Sequence, residues 1–281
     1  MQVVRTRPAL VEARQRLASP VGAVLTMGAL HRGHLGLVRH AREIVGDEGS
    51  VLLTIFVNPL QVGPGEDLDR YPRSLPNDLE AAERAGVDLV VVPDVDTVYP
   101  AGSAQVTVDP GELGAVLEGA ARPTHFRGVL TVVAKLLLLT RPSVTVFGEK
   151  DYQQLVLVRR MCRDLDLGVD VVGMATVRDD DGVALSSRIA YLTDEQRRAA
   201  TAIPRALAAA RDRAALGTGA ALAVAHDMLA AEPDLDVDYL VVTDPDLGPV
   251  PRQGPARMLV AARLGSTRLL DNAALHIGEP A

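Results

Sequence analysis

The first part of the chain alternates short apolar runs with longer segments in which apolar positions recur at helical spacing. The apolar runs predict strands over residues 21–26, 51–57, 87–92, 144–147 and 169–175. The segments between them predict helices over residues 34–45, 77–85, 128–140 and 152–164. Apolar strands separated by helices are typical of a parallel sheet that is covered on both faces. We therefore expect an α/β, Rossmann-like domain over residues 1–176.

The pattern changes near residue 177. Two alanine-rich segments, 193–216 and 220–231, predict helices that are separated by a glycine-containing turn. Residues 236–243, 258–264 and 267–275 predict strands, and Gly265 and Ser266 join the last two as a hairpin. We expect a smaller α+β domain over residues 177–281.

Composition narrows the classes of function. The chain has 281 residues and a formal net charge of −7, so it carries no overall basic footprint for nucleic acid. Any anionic substrate must therefore be met by local cations. The single cysteine, Cys162, excludes an intrachain disulfide and lies on an apolar helical stripe, where a buried and unreactive thiol is expected.

The N-terminal region and the longest apolar runs indicate where in the cell the protein is expected. Arg5, Arg7, Glu12 and Arg14 interrupt the apolar positions at the N-terminus, a pattern that argues against a signal peptide. No apolar run reaches the roughly 20 residues that a membrane span requires. We expect a cytoplasmic protein that does not contact a membrane.

The most informative segment runs from Thr26 to His34. It reads as the end of a strand, a glycine turn and the start of a helix. His31 and His34, three residues apart, are expected to share one face beside the first helical amides, where a polyphosphate can dock. Gly33 is expected to let the backbone approach an anion, because it has no Cβ. The alternative is two polar histidines in a loop.

Two further segments carry groups suited to phosphate. Lys150 and Asp151 follow a predicted strand, where lysine can meet a phosphate as a point charge. Asp151 is as well suited to capping the next helix as to contacting substrate, and a solvated surface lysine is the alternative for Lys150. Ser186, Ser187 and Arg188 combine two hydroxyls with a guanidinium, which suits a transferring phosphoryl group or a leaving pyrophosphate.

Neutral amides and a basic segment complete the candidate chemistry. Asn58, Gln61 and Gln154 could orient a hydroxylated acid without adding charge. Residues 122–128, which include His125, are expected to form a loop with a binding role, with a basic surface loop as the alternative. Candidate magnesium carboxylates are Asp67, Asp69 and Asp78, of which Asp78 is favoured because it opens a predicted helix.

These motifs follow three different predicted strands. Ligands of open parallel sheets bind beyond the carboxyl ends of the strands, at the point where the strand order reverses. The histidine pair, the amides of Asn58 and Gln61, and Lys150 each follow one such strand. This placement predicts one site at that edge of the sheet.

Seven stretches together resemble the pantoate–β-alanine ligase family, in the family's order and over nearly the whole chain. They are TMGALHRGH, FVNPLQ, EDLDRYPR, RPTHFRGVLTVVAKL, FGEKDYQQL, DGVALSSR and LVAARLGSTRLLDN. The stretches FGEKDYQQL and RPTHFRGV are specific to the family, whereas H-x-G-H marks a wider nucleotidyltransferase superfamily.

The resemblance implies an ATP-dependent condensation of pantoate with β-alanine to pantothenate, a step of coenzyme A biosynthesis. ATP and pantoate would form pantoyl adenylate and release pyrophosphate, and β-alanine would then displace AMP. The resemblance also implies Mg²⁺, a homodimer, and a C-terminal domain that acts as a lid.

The resemblance further implies a role for individual residues. Catalytic roles fall to His31, His34, Lys150 and Arg188, with His34 at the position of the proton donor. Pantoate binding falls to Gln61 and Gln154, and Mg²⁺ contact falls to Asp78. Asn58 and His125 are added from their own chemistry as substrate-binding candidates. The residues implied in ATP binding are Met27, Gly28, His31, His34, Gly148, Glu149, Lys150, Asp151, Val177, Leu185, Ser186, Ser187 and Arg188.

Four positions depart from the family pattern. Leu25 replaces a proline, Val62 a phenylalanine, Val98 a methionine and Ile189 an asparagine. None of them removes a group that performs chemistry, so we expect effects on rate and substrate fit rather than on the class of reaction.

Two other functions compete with the ligase. A plain nucleotidyltransferase would share both histidines but would not require Gln61 and Gln154. A nucleotide-binding regulator on a degenerate ligase scaffold would account for the four departures, although every expected polar group remains.

Overall fold

The structure is a computed structural model that describes residues 1–61 and 74–278. Its residues divide into two compact units. The first contains Met1–Gly148 and Gln153–Met174, and the second contains Glu149–Tyr152 and Ala175–Ala281. The four residues Glu149–Tyr152 therefore pack with the second unit, although the sequence places them inside the first.

A six-stranded parallel sheet forms the centre of the first unit, in the order β1-β4-β3-β2-β5-β6. Its strands are β1 (Gln2–Val4), β2 (Val21–Thr26), β3 (Ser50–Ile55), β4 (Leu89–Val91), β5 (Val144–Gly148) and β6 (Asp170–Met174). The chain passes from β2 through β3 and β4 on one side and later continues through β5 and β6 on the other. The strand order therefore reverses beside β2, where ligands of such sheets bind.

Helices pack around this sheet and bury its apolar strands. They are α1 (Arg7–Arg16), α2 (Arg32–Val45), α3 (Leu75–Arg84), α4 (Val95–Val98), α5 (Glu118–Ala121), α6 (His125–Thr140) and α7 (Tyr152–Asp164). Helix α6 is buried along most of its length, as its apolar composition predicts. The α/β expectation is thus confirmed.

Most differences between expectation and structure are at element boundaries. Strand β1 and helix α1 were not predicted. The expected loop over residues 122–128 is wrong in its second half, because α6 begins at His125 and includes Gly128. Pro123 lies outside the helix. Gly128 lies inside it, where the lack of a Cβ leaves room for the backbone of Leu60 and Gln61.

The second unit contains an antiparallel sheet in the order β7-β8-β9 and helices that pack on it. The strands are β7 (Leu235–Thr243), β8 (Gly254–Leu264) and β9 (Thr267–Ile277), and the helices are α8 (Asp194–Ala200), α9 (Ala202–Arg213) and α10 (Thr218–Ala230). The single helix expected over residues 193–216 is interrupted at Thr201. Pro204 has no N–H to donate to Ala200, so it is accommodated only in the first turn of a new helix.

Packing also accounts for several residues singled out in the sequence. Cys162 is buried, as expected, and burial raises the pKa of its thiol to about 11, which keeps it protonated and unreactive. Leu25 and Ile189 pack against hydrophobic clusters, and Val98 is fully buried. Val62, Asp67 and Asp69 lie outside the described residues. Within the described part of the chain, no helix is long and apolar enough to cross a membrane.

Candidate functional site

The turn after β2 is held by a buried carboxylate from another helix. Asp78, in the first turn of α3, is 4% exposed and accepts hydrogen bonds from the amides of Ala29 (3.0 Å) and Leu30 (2.7 Å). Ala29 has a positive φ of 51°, which a residue other than glycine adopts only when its surroundings enforce it. Asp78 therefore fixes the turn that leads into the histidine pair.

His31 and His34 cap the helix that follows. The His31 Nδ1 accepts a hydrogen bond from the Gly33 amide (3.1 Å), and the His34 Nδ1 accepts one from the His31 amide (3.4 Å). The ring centroids are 4.0 Å apart. A neutral imidazole that accepts at Nδ1 carries its proton on Nε2. Both rings thus present an N–H donor at a helix N-terminus, a combination suited to an anion.

Gly33 has a more local role than the sequence suggested. A Cβ at this position would lie 2.8 Å from Cε1 and 3.0 Å from Nδ1 of His31. Glycine is therefore required first of all by the capping geometry of His31, and its backbone approach to an anion stays a prediction.

The turn after β3 gathers the predicted amides around Asn58, which is 1% exposed. Its Oδ1 accepts hydrogen bonds from the Tyr99 hydroxyl (2.8 Å) and the Leu60 amide (3.2 Å). Its Nδ2 donates to the Gly128 carbonyl (3.1 Å) and to Gln61 Oε1 (3.3 Å). All its hydrogen-bonding positions are used within the protein. Asn58 therefore holds the side chain of Gln61, and its direct contact with substrate stays a prediction.

Tyr99 was not predicted from the sequence. Burial raises the pKa of its phenol to about 12, so the hydroxyl stays protonated and donates to Asn58. Nothing in the local pattern marks a tyrosine whose partner lies 41 residues away.

Gln61 connects two of the predicted motifs. Its Nε2 lies 2.8 Å from Sδ of Met27, at the end of β2, and its carbonyl oxygen lies 3.0 Å from Nδ1 of His125. The His125 Nε2 in turn lies 3.0 Å from Nη1 of Arg122. Three segments of the first unit are therefore in contact: the turn after β3, called the amide turn from here on, the turn after β2 and the start of α6.

Gln154 and its neighbour Gln153 differ in their surroundings. Gln153 is buried, and its side chain donates to the carbonyls of Leu113 and Val116 and accepts from the Glu118 amide. Gln154 is half-buried on α7. The structure thus leaves Gln154, and not Gln153, as the glutamine that could contact a ligand.

Two residues that are predicted to contact phosphate line one pocket in the second unit. Lys150 and Ser186 line it together with Val183, Pro204, Arg268 and Asp271. The Lys150 Nζ lies 3.3 Å from Oδ1 of Asp151. Glu149, Lys150 and Asp151 form a single 3₁₀ turn before α7.

Arg178 anchors the loop that carries Ser186–Arg188. Arg178 forms a two-pronged ion pair with the buried Asp271 (2.6 and 2.9 Å) and donates to the Gly182 carbonyl (3.0 Å). Ser186 Oγ accepts a hydrogen bond from the Arg188 amide (3.2 Å), which begins a 3₁₀ turn.

The same loop closes on Val177 and Leu185. The Val177 carbonyl accepts a hydrogen bond from the Leu185 amide (2.9 Å). Val177 and Leu185 are therefore paired through their backbone at the base of the loop. Contact of either residue with ATP stays a prediction.

Among residues 1–61 and 74–278, Asp78 is not part of a metal-binding cluster. The described residues contain no group of three His, Cys, Asp or Glu side chains that could hold a metal ion. Both Asp78 oxygens already accept backbone amides. Mg²⁺ in nucleotide sites is usually bound by one or two carboxylates and by substrate phosphates, so a single carboxylate fits an ion that a nucleotide holds in the main.

Comparison with known proteins gives a consistent result across the chain. The family model for pantoate-beta-alanine ligase matches residues 2–274. A pantothenate synthetase of Nocardioides sp. is 57% identical over 96% of this chain and 86% of its own length. A pantothenate synthetase of Salinispora arenicola is 54% identical over 98% of both chains.

Solved structures show the same similarity. The crystal structure of pantothenate synthetase from Thermus thermophilus has a TM-score of 0.89 and 48% identity, and covers 97% of this chain and 99% of its own. The pantoate-beta-alanine ligase of Francisella tularensis, crystallised with beta-gamma ATP and beta-alanine, has a TM-score of 0.80 and 30% identity over 97% of both chains.

The ion pairs of Arg197 predict a pH-dependent stability of the second unit. Arg197 donates to Asp181 (2.6 Å) and Asp179 (2.8 Å), and its hydrogen bond holds the pKa of the Asp181 carboxyl below its usual value. A lowered folded-state pKa stabilises the fold above the unfolded-state pKa of about 4, and this stabilisation is lost as the pH falls through the folded-state value. Arg197→Met should therefore lower the Tm at pH 7, and its difference from the parent protein should shrink below about pH 4.

Thermal unfolding followed between pH 7 and pH 3 measures this difference. Arg198→Met, at the exposed neighbouring position of the same helix, is the matched control and should leave the Tm unchanged at each pH. A Tm difference for Arg197→Met that is independent of pH would contradict the assignment.

Proposed function

The chain belongs to the pantoate-beta-alanine ligase family, and on that premise we propose how its residues carry out the ATP-dependent condensation of pantoate with β-alanine to pantothenate. The observation that carries the proposal is the contact between Gln61 and Met27. A carboxylic acid bound at Gln61 would lie beside the turn that leads into the histidine pair. That is the arrangement an acid needs to react with a nucleotide.

The chemistry follows from the poor reactivity of a carboxylate. In the first step, a pantoate carboxylate oxygen bonds to the α-phosphorus of ATP and pyrophosphate leaves. In the second step, the β-alanine amine bonds to the activated carbonyl carbon, loses a proton, and displaces AMP. The first step brings two anions together, so positioned cations and N–H donors are needed to offset their repulsion.

His31 and His34 serve the phosphates in this proposal. Their Nδ1 atoms accept backbone amides, which keeps the proton of each neutral ring on Nε2. The Nε2–H groups then donate to phosphate oxygens, and His34 is the proposed proton donor. The helix N-terminus adds a favourable partial charge. Met27 and Gly28 contribute the preceding turn.

Lys150, Ser186, Ser187 and Arg188 provide the remaining phosphate contacts. Lys150 and Arg188 counter the charge that develops on the leaving pyrophosphate. Support comes from the pocket that Lys150 shares with Ser186. The rest of the nucleotide is assigned to Gly148, Glu149, Asp151, Val177 and Leu185.

Pantoate is assigned to Gln61 and Gln154. Neutral amides can bind both its hydroxyls and its carboxylate without adding charge. Asn58 and His125 contribute through Gln61, since Asn58 holds its side chain and His125 its carbonyl group.

Three wider properties belong to the same proposal. Asp78 would be the carboxylate that holds Mg²⁺ together with the phosphates of ATP, and the ion would offset phosphate charge. The active protein is a cytoplasmic homodimer. Residues 1–176 form the domain that binds ATP and pantoate, and residues 177–281 form a smaller domain that acts as a lid.

The first test is product formation. Incubation with ATP, Mg²⁺ and pantoate, with and without β-alanine, should give AMP and pantothenate in equal amounts only when both substrates are present. Mass spectrometry measures pantothenate, and chromatography separates AMP from ADP. Formation of ADP would contradict the ligase reaction. A stable nucleotidyl product that is insensitive to Gln154→Ala would favour a plain nucleotidyltransferase.

The second test separates binding from catalysis. Lys150→Ala and His34→Ala remove groups proposed to act on charge that develops in the transition state, so pyrophosphate release should fall by about 10²–10³-fold. The Kd for ATP, measured by calorimetry, should change by less than about tenfold. His40→Ala, on the same helix but paired with Glu43, is the control for His34 and should leave both quantities unchanged. A Kd that rises in step with the loss of rate would refute the proposed transition-state role.

The third test uses the close approach of Gly128 to the amide turn. A Cβ on Gly128 would lie 2.1 Å from the Leu60 carbonyl oxygen and 2.7 Å from the Gln61 Cα. Gly128→Ala should therefore displace Gln61 and raise the KM for pantoate by about tenfold or more, since small misplacements of binding groups are costly. Steady-state kinetics with pantoate as the varied substrate measures the effect.

Gly219→Ala is the matched control for this substitution. It is also a glycine within a helix, but nothing lies within 4 Å of its added Cβ. Its KM should be unchanged and its stability equal or slightly raised. Equal KM values for the two variants would contradict the role assigned to Gln61.

A further inference from the structure

The turn that carries Lys150 is held by a side chain far along the chain. Asn272, on β9, is 4% exposed, and its Nδ2 donates hydrogen bonds to the carbonyl oxygens of Glu149 (2.8 Å) and Lys150 (3.0 Å). Both N–H groups of the amide are therefore used on two consecutive carbonyls of the 3₁₀ turn. These contacts fix the backbone from which the Lys150 side chain extends.

Arg257 holds the same turn through side chains. Its Nη2 donates to Oε2 of Glu149 (2.8 Å), and its guanidinium carbon lies 3.7 Å from the centre of the Tyr152 ring. The residue is 7% exposed. The Tyr152 hydroxyl donates to the Pro245 carbonyl (2.9 Å), so the aromatic ring is itself anchored. Arg257 thus fixes the residues on either side of Lys150 and Asp151.

Strand register explains why Asn272 and Arg257 reach one turn. Leu259 pairs with Asn272, and Arg257 pairs with Ala274, in the antiparallel pair β8–β9. Side chains two residues apart on a strand point to the same face, so Arg257 and Asn272 are diagonal neighbours on one face of the sheet.

The base of this arrangement is the ion pair between Arg178 and the buried Asp271. The backbone amide of Asn272 donates to Oδ1 of Asp271 (2.7 Å), and the two carboxylate oxygens of Asp271 accept the two prongs of Arg178. Asn272 therefore extends from a strand segment whose own position is fixed. Such a rigid support lowers the cost of ordering a cation for each turnover.

We propose that Asn272 and Arg257 are positioning residues that preorganise Lys150 for the phosphates of ATP. This inference rests on the role proposed above for Lys150. In this proposal neither residue contacts the phosphates, and each acts through the Glu149–Tyr152 turn.

The test compares variants on the same sheet. Asn272→Ala and Arg257→Met should lower the kcat for pyrophosphate release by about 10–100-fold and leave the KM for pantoate within about twofold. Arg263→Met is the matched control, because Arg263 lies on the same strand and pairs with Asp238 within the sheet. It should leave kcat unchanged. An unchanged kcat in Asn272→Ala and Arg257→Met would overturn the proposal.

Hydrogen exchange gives a readout that does not depend on activity. Amides in a peptide covering residues 147–154 should exchange faster in Asn272→Ala than in the parent protein, and at the parental rate in Arg263→Met. Exchange that increases equally over the whole second unit would indicate general destabilisation and would overturn a specific positioning role.

A double-variant cycle separates this inference from the role of Lys150 itself. If Asn272 acts through Lys150, adding Asn272→Ala to Lys150→Ala should lower kcat by less than about twofold further. Full additivity would overturn the positioning role while leaving Lys150 catalytic. An undiminished kcat in Lys150→Ala alone would instead overturn the role of Lys150, and the inference with it.

Conservative variants cover the case in which Arg257→Met does not fold. Arg257→Lys keeps the charge beside Glu149 but loses the planar group over Tyr152, so its kcat should lie between those of the parent and Asn272→Ala. Asn272→Asp keeps the size of the side chain but removes both donors, and should lose at least as much rate as Asn272→Ala. Parental kcat in both conservative variants would contradict the proposal.

Discussion

Turns that follow parallel strands have backbone amides and carbonyls without partners in the sheet, and these groups must be satisfied by buried side chains. The turn after β2 uses Asp78, the turn after β3 uses Asn58, and the turn after β5 uses Asn272. Each of these side chains is at most 4% exposed. An unsatisfied buried polar group costs about 1–3 kcal/mol, so each contact selects one conformation of its turn. The proposed functional residues are carried by the turns that these contacts fix.

The same constraint explains which parts of the molecule could be predicted. The strands and buried helices follow from apolar periodicity, and the histidine pair, Gln61 and Lys150 stand out because they follow predicted strands. The side chains that hold the turns leave no such local signal. Asp78 is predicted as a metal contact, which stays a prediction, whereas its hold on the turn after β2 is not predicted, because a carboxylate at a helix start has the same sequence appearance in both roles. Tyr99, Arg257 and Asn272 depend on partners 41, 108 and 123 residues away.

Local charge also has two uses that the sequence does not distinguish. The chain carries a net charge of −7, so cations near an anionic substrate must be placed individually. In the second unit, Arg178, Arg197 and Arg257 are each paired with carboxylates of the fold. Removing one partner of such a pair leaves a charge without compensation, which is why these arginines belong to the architecture. Lys150 differs, because its carboxylate partner is the adjacent Asp151, whose side chain is half-exposed.

The histidine pair shows how one side chain can serve both structure and chemistry. Each Nδ1 caps a backbone amide at the start of α2, and this contact determines which nitrogen carries the proton in the neutral ring. One tautomer therefore provides both the Nδ1 acceptor that caps the helix and the Nε2–H donor. A phosphate bound at Nε2–H reinforces that tautomer, because it needs a donor where the cap has already placed one.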